Sequence, residues 1–203
     1  MAVLGDHLHI TLNDLEENLS TFKLGEYIRE CEAGFDERVL AVAGKISSND
    51  DIRAVFISGP SGSGKTTFNS KLAGALEKRG IKAVSISLDD YYFTHEFETD
   101  GFGRFDYESI TTLDTKLIAV HISKLIRGET VMVPGFDFMT KSRPDDLAKE
   151  TKLSKGGVLL VEGLHGLAGE IAGSLPADQW LGIYIMPYAT LTDDYRSEEH
   201  TSE

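Results

Sequence analysis

The sequence predicts an α/β fold: a parallel sheet flanked by helices, built around a phosphate-binding loop and preceded by a short helical N-terminal extension. Three observations predict it. From residue 52 onward, strand-like and helix-like stretches alternate, a pattern that lays a parallel sheet under helices on both faces. A glycine-rich loop joins the first strand to the first strong helix. Acidic residues stand where two of the strands end, on the side of such sheets where ligands bind.

Residues 1–50 form the extension. Leu24, Tyr27, Ile28, Cys31, Phe35, Val39, Val42 and Ile46 recur at helical spacing, with a break expected near Gly34. One or two amphipathic helices are expected, packed on the main body or on a neighbouring domain, and no motif there carries chemistry. The polar run Ser47-Ser48-Asn49-Asp50 marks the junction to a second domain over 51–195. In that domain the expected strands are 52–58, 82–88, 130–134, 157–162 and 181–186. The strong helices are expected at 65–79 and about 111–127, each stopped by a glycine, Gly80 and Gly128.

The loop reads Gly59-Pro60-Ser61-Gly62-Ser63-Gly64-Lys65-Thr66, followed by Thr67, and fits G-x-x-x-x-G-K-[ST] at every fixed position. The glycines let the backbone turn where a Cβ would clash, so that successive N–H groups converge on phosphate oxygens. Lys65 brings a point charge for the β/γ-phosphates, and the Thr66 hydroxyl suits a Mg²⁺ ligand. A strand before and a helix after place the phosphates at a helix N-terminus, where unpaired amides and the dipole favour an anion. The residues therefore point to a nucleoside triphosphate as ligand.

Two strand ends supply acids. After 82–88 come Asp89-Asp90-Tyr91-Tyr92, and either carboxylate can hold Mg²⁺ or accept a proton from an attacking hydroxyl. Alternation along an extended strand sends the two to opposite faces, leaving one for catalysis and the other for a turn. Val158-Leu159-Leu160-Val161-Glu162-Gly163 repeats the arrangement, with Glu162 read either as an acid of the metal shell or as the cap of a helix near 166–172. His165 reads as a catalytic base or as a hydrogen-bonded structural histidine.

Composition narrows the classes of function. Across 203 residues the net charge is −13, which argues against nucleic acid as a partner. No apolar run approaches the length of a membrane span, so a soluble protein without membrane contact is expected. Cys31 is the only cysteine; it excludes an internal disulfide, suits a reducing cytoplasm and is expected to be a small buried apolar residue. A guanine-nucleotide switch is excluded, because Asn/Thr-Lys-x-Asp is absent and the D-x-x-G match at Asp100-Gly101-Phe102-Gly103 is short and common. A motor ATPase would carry two adjacent acids where Gly163 follows Glu162.

At this point the residues resemble a known family. The segments Gly59–Thr67, Ser87–Tyr92, Phe105-Asp106, Phe136–Arg143 and Val161-Glu162-Gly163 occur in the order of the uridine kinase/phosphoribulokinase family of P-loop NTPases, and are most similar to its bacterial uridine kinase-like members. The resemblance covers about residues 52–195. It implies ATP- and Mg²⁺-dependent phosphorylation of a hydroxyl on a nucleoside or related sugar or sugar phosphate. It further implies Asp89 as general base and Mg²⁺-linked acid, Asp106 as acceptor of the ribose hydroxyl, Arg143 as a cation near the acceptor, Glu162 as the second metal-shell acid, and Tyr92 as a wall of the acceptor pocket.

Two departures from the family qualify the expectation. Pyrimidine nucleoside kinases usually carry Tyr and His in the 136–143 stretch; here Phe136 can stack but not donate, and Lys141 is either a fixed charge at the acceptor or a solvated loop lysine. The family also continues past the strand resembling Leu181–Met186 with an arginine-rich lid helix and a last strand, both expected to be missing here. The stretch Arg196-Ser197-Glu198-Glu199-His200-Thr201-Ser202-Glu203 matches a translated sequencing adapter, so a non-native tail over 196–203 is expected. A small-molecule kinase is the leading reading, with a homo-oligomer left open. The alternatives are a nucleotide-binding regulatory module with little or no acceptor phosphorylation, and an incomplete, inactive piece of a kinase.

Overall fold

A computed structural model describes residues 16–20, 23–94 and 107–186. It divides into two compact units, residues 38–187 and residues 1–37 with 188–203, and the sheet and the candidate site belong to the first of these. Asp106, the Asp100–Gly103 stretch and the 196–203 tail lie outside the described residues.

Helix α1 (Leu24–Ser47) carries Glu26 in its first turn and Lys45 in its last, charges that suit the helix dipole. It runs through Gly34 without the expected break, since a lone glycine in a long helix costs only about 1 kcal/mol. Burial is confined to Val39, Ala43 and Ile46 near its end. Leu24 and Ile28 are exposed, and so is Cys31, against the expectation of a buried thiol. Helical spacing identified the stripe, but nothing local says how much of a stripe will be covered.

The sheet is four-stranded and wholly parallel, in the order β2 (Ala83–Ser87), β5 (Val158–Glu162), β1 (Ala54–Ser58), β6 (Trp180–Tyr184). The central strands Ala-Val-Phe-Ile-Ser and Val-Leu-Leu-Val-Glu are almost entirely buried, as continuous apolar runs in a sheet covered on both faces should be. The outer strands β2 and β6 are only partly buried. Helix α2 (Lys65–Glu77) follows β1 and buries Phe68, Leu72, Ala75 and Leu76. Helix α3 (Thr115–Ile126) buries Ile118, Ile122 and Leu125, and Trp180 meets Phe56 edge-on at 5.4 Å. A one-turn helix α4 (Gly169–Ala172) precedes β6.

One expected strand leaves the sheet. Strand β3 (Thr130–Val133) pairs antiparallel with β4 (Lys149–Lys152) in a separate two-stranded ribbon. Val131 and Val133 are buried while Thr130 and Met132 are exposed, the one-sided burial typical of antiparallel pairs. Strand β4 reads Lys-Glu-Thr-Lys and has no apolar signal, so only its partner makes it a strand. Among the described residues no helix is long and apolar enough to cross a membrane.

Register positions the site. Glu162 lies beside Ile57 of β1 and beside Ser87 of β2, so three strands end level with one another. The segments that follow them, beginning at Gly59, Leu88 and Gly163, therefore emerge together at one edge of the sheet.

Candidate functional site

The phosphate loop is formed at the backbone level. Gly64 caps α2 from the left-handed region (φ 91°), and no side chain caps the helix, so its first amides point outward without a side-chain partner. Gly59 lies so close to β6 that a Cβ there would sit 2.1 Å from the Ile185 carbonyl oxygen. Lys65 folds back over its own loop and donates to the Pro60 carbonyl at 2.8 Å. Pro60 and Gly62 shape the turn, while Ser61, Thr66 and Thr67 are exposed. The Ser63 hydroxyl is buried without a hydrogen-bond partner. An unpaired buried hydroxyl and uncapped helix amides fit an anion with acceptor oxygens.

The acids come to this loop from two other strands. The Thr66 hydroxyl donates to Glu162, with Oε1 at 3.2 Å and Oε2 at 3.1 Å. Burial pushes the Glu162 carboxyl above its usual range, and the Thr66 hydrogen bond opposes that shift. Asp89 remains accessible at the mouth of the site, yet the protein packed around it raises its pKa, with Lys65 and His165 pulling the other way. Like-charge repulsion from Asp89 adds to the upward shift of Glu162, a situation a divalent cation would relieve. Among the described residues no three His, Cys, Asp or Glu side chains converge as a metal cage. Mg²⁺ is commonly held by one or two protein oxygens together with substrate phosphates. Thr66, Glu162 and Asp89 are the residues that could hold it.

Asp89 and Asp90 separate, but not by strand alternation. Strand β2 stops at Ser87, and Leu88–Tyr91 is a 3₁₀ turn whose start is capped by the Ser87 hydroxyl, accepting from the Asp89 N–H at 3.4 Å. Asp90 turns toward the 136–143 segment, where its Oδ1 accepts from the Phe136 N–H at 3.4 Å. Burial raises its pKa and that hydrogen bond lowers it.

The expected acceptor residues form a second group. Tyr92 is buried, donates its hydroxyl to the Tyr107 carbonyl at 2.9 Å, and packs against Phe136 (5.4 Å) and Phe138 (5.9 Å). Phe136 is buried as well, 5.0 Å from Phe138. Lys141 is half-buried at φ 52°, in a tight turn closed by reciprocal Asp137–Ser142 backbone bonds. Asp137 caps that turn through Met139 N–H and the Thr140 hydroxyl, which hold its carboxyl below the usual range. Arg143 pairs with Asp114 at 3.4 Å.

Sequence reasoning missed Asp114. Its Oδ1 accepts from the Leu117 N–H at 3.1 Å and caps α3, which therefore starts at 115 rather than near 111. An Asp directly before the periodic run was the available signal. The Nε2 of His165 is buried without a hydrogen-bond partner among the described residues, which leaves both readings of this residue open. The loop that carries it is pinned by Ser58, whose hydroxyl donates to the Leu164 carbonyl at 2.6 Å.

A uridine kinase from Vibrio campbellii is 29% identical over 122 residues, 59% of this chain and 56% of that protein. The protein named inorganic pyrophosphatase TTM2 from Arabidopsis thaliana is 30% identical over 140 residues, 69% of this chain but 19% of its own length. The chain thus spans about a fifth of that plant protein and just over half of the uridine kinase. Among solved structures, a possible uridine kinase from Bacillus stearothermophilus shares the fold with a TM-score of 0.57 at 19% identity, over 73% of this chain and 79% of that one. The model of the phosphoribulokinase/uridine kinase family matches residues 54–189, and the chain belongs to that family.

Proposed function

We propose that this chain carries the catalytic core of an ATP- and Mg²⁺-dependent kinase that phosphorylates a hydroxyl of a nucleoside or related sugar or sugar phosphate. One observation carries the reading: the loop Gly59–Thr67, Asp89 and Glu162 meet at the level ends of three parallel strands, with Thr66 bonded to Glu162. Bound Mg²⁺ would neutralise charge between the β- and γ-phosphates. The loop amides cradle the phosphates, and Lys65 exchanges its Pro60 carbonyl for a phosphate oxygen. Glu162 orients the Thr66 hydroxyl. Asp89, solvent-facing and with its carboxyl pKa raised by burial, accepts a proton from the acceptor hydroxyl. Tyr92, Phe136, Lys141, Arg143 and, outside the described residues, Asp106 form the acceptor side. Phosphoryl transfer asks mainly for alignment and charge neutralisation, and this set supplies both.

The acceptor is expected to differ from an unmodified pyrimidine nucleoside, because Phe136 has no side-chain donor and Lys141 adds charge. We place the reaction in the cytoplasm, where ATP is abundant and a lone cysteine stays reduced. The test is a screen of nucleosides, sugars and sugar phosphates with ATP and Mg²⁺, using the full-length gene product and its Lys65→Ala variant. Acceptor-dependent ADP release that falls by about 10²–10³-fold in the variant supports the kinase. Selective, efficient phosphorylation of uridine and cytidine would overturn the acceptor assignment, and no acceptor-dependent release at all would overturn the kinase.

A second reading is favoured by the plant relative, of which this region makes up 19%. There the family domain is one part of a larger protein, as a nucleotide-binding regulatory module would be. Tight ATP binding without acceptor phosphorylation is the outcome that selects it.

A further inference from the structure

We propose that Asp114 is a positioning residue for phosphoryl transfer, locking the acid-bearing turn 88–91, the start of α3 and the arginine of the 136–143 segment into one register. The inference rests on the kinase reading above and deepens it.

Asp114 reaches three separate parts of the chain. Its N–H donates to the Tyr91 carbonyl at 3.0 Å, which ties it to the turn that bears Asp89 and Asp90. Its Oδ1 accepts from Leu117 N–H at 3.1 Å and caps α3. Its Oδ2 takes the Arg143 Nη1 at 3.4 Å, a pair whose side chains are 21% and 20% exposed. Arg143 is held from two further directions: its N–H donates to the Thr94 hydroxyl at 3.3 Å, and its guanidinium lies 5.7 Å above the Phe93 ring. The segment 91–93 is in turn bridged to 112–114, through the isolated Tyr92–Leu113 pair and Phe93 N–H to the Thr112 carbonyl.

The residue type is informative. A helix N-cap needs a single acceptor oxygen, and Asn, Ser or Thr would serve as well as Asp. The second oxygen of a carboxylate, directed at a guanidinium, does more than cap a helix. Two open clefts, of 340 and 310 Å³, share Asp114 as a wall, and Arg143 lines the second. Asp114 thus borders both, and its ion pair fixes the guanidinium at the second before any ligand arrives, so that less rotamer freedom is lost on binding. With Asp90 bonded to Phe136 N–H, the same two segments are joined at two points, and the distance from the catalytic acid to the acceptor side is set by both.

Three variants separate capping from registration. Asp114→Asn keeps an acceptor for Leu117 and removes the charge facing Arg143; Asp114→Ala removes both; Arg143→Gln removes the partner. Amide hydrogen exchange at Leu117 and Arg143 is read alongside steady-state kinetics. In Asp114→Asn, Leu117 should exchange as in the wild type and Arg143 about tenfold faster, with the acceptor KM raised and kcat lowered, each by about threefold to tenfold, while the ATP KM changes by less than about twofold. Asp114→Ala should also lose Leu117 protection, and adding Asp114→Asn to Arg143→Gln should change nothing further. Wild-type exchange at Arg143 in Asp114→Asn, or additive effects in the double variant, overturns the inference. Should the wild type phosphorylate no acceptor, the kinase reading fails, while the exchange data still decide whether Asp114 sets the register.

Discussion

At the scale of single residues, the two adjacent acids have different surroundings and should have different fates. Asp89 faces solvent, Lys65 and His165, whereas Asp90 is engaged with a backbone amide of the 136–143 segment. Asp89→Asn removes a base and should lower turnover by about 10²–10⁴-fold. Asp90→Asn retains an Oδ1 that can still accept from Phe136 N–H, so its loss should stay under about tenfold. Turnover at saturating Mg²⁺ distinguishes them, and a larger loss in Asp90→Asn would contradict the assignment. His121 gives a pH prediction. It is buried in α3, with Nδ1 3.1 Å from the Tyr91 hydroxyl, and burial is the main cause of its lowered pKa, followed by Lys124, with Asp114 opposing. In the unfolded chain the imidazole titrates near 6.5 and binds protons before the folded one does. Its neutral burial therefore contributes stability above pH 6.5 that is lost as pH falls toward the folded pKa. The raised carboxyl groups of Asp89, Asp90 and Glu162 act with the opposite sign at lower pH, so the comparison must be internal. The urea midpoint of the wild type should fall more between pH 7.0 and 5.5 than that of His121→Gln, and equal slopes would contradict the linkage.

At the scale of elements, the phosphate loop depends on how closely β1 and β6 bring their ends together. The Gly59 position leaves no room for a side chain: a Cβ would meet the Ile185 carbonyl oxygen at 2.1 Å and the Ser63 hydroxyl at 2.9 Å. The obstructing carbonyl belongs to backbone that is itself bonded, Ile185 N–H donating to Ser58 O at 2.8 Å, so it cannot simply swing aside. Gly59→Ala should cost about 1–3 kcal/mol, in the range of other overpacking substitutions. Gly74, inside α2, has nothing within 4 Å of its would-be Cβ. Gly74→Ala should instead stabilise by about 0.5–1 kcal/mol. Chemical denaturation of the pair tests the steric argument, which fails if the two substitutions have the same sign. The β3–β4 ribbon belongs to this scale too: its strands exist through each other, one supplying buried valines and the other backbone and a half-buried Thr151.

At the scale of the whole molecule, ligand binding and folding should be coupled. The site draws on segments following β1, β2 and β5, and these meet only when the parallel sheet is assembled. The unfolded chain has no such convergence, so Mg²⁺-ATP should bind the folded state alone. At a ligand concentration of about 100 Kd this adds about 2.7 kcal/mol of stability. Thermal or urea unfolding with and without Mg²⁺-ATP measures it, and Lys65→Ala should reduce the gain at equal ligand while leaving the ligand-free midpoint nearly unchanged. No shift in the wild type would count against nucleotide binding.

Features encoded within a few consecutive residues were legible from the sequence. The loop from Gly59 to Thr67 needs only its own glycines, lysine and hydroxyls, and the central strands announce themselves as unbroken apolar runs. The acid at the end of β5 followed from the same local reading. The tertiary structure decided what depends on partners far along the chain. It sent β3 out of the sheet, turned Asp89 and Asp90 apart through a 3₁₀ turn rather than an extended strand, and left Cys31 exposed. It also joined Asp114 to Arg143, 29 residues away. Backbone preferences act over one or two turns and can be read in place. Strand pairing, burial and ion pairs are settled by the competition of the whole chain for a limited interior, so no local pattern contains them.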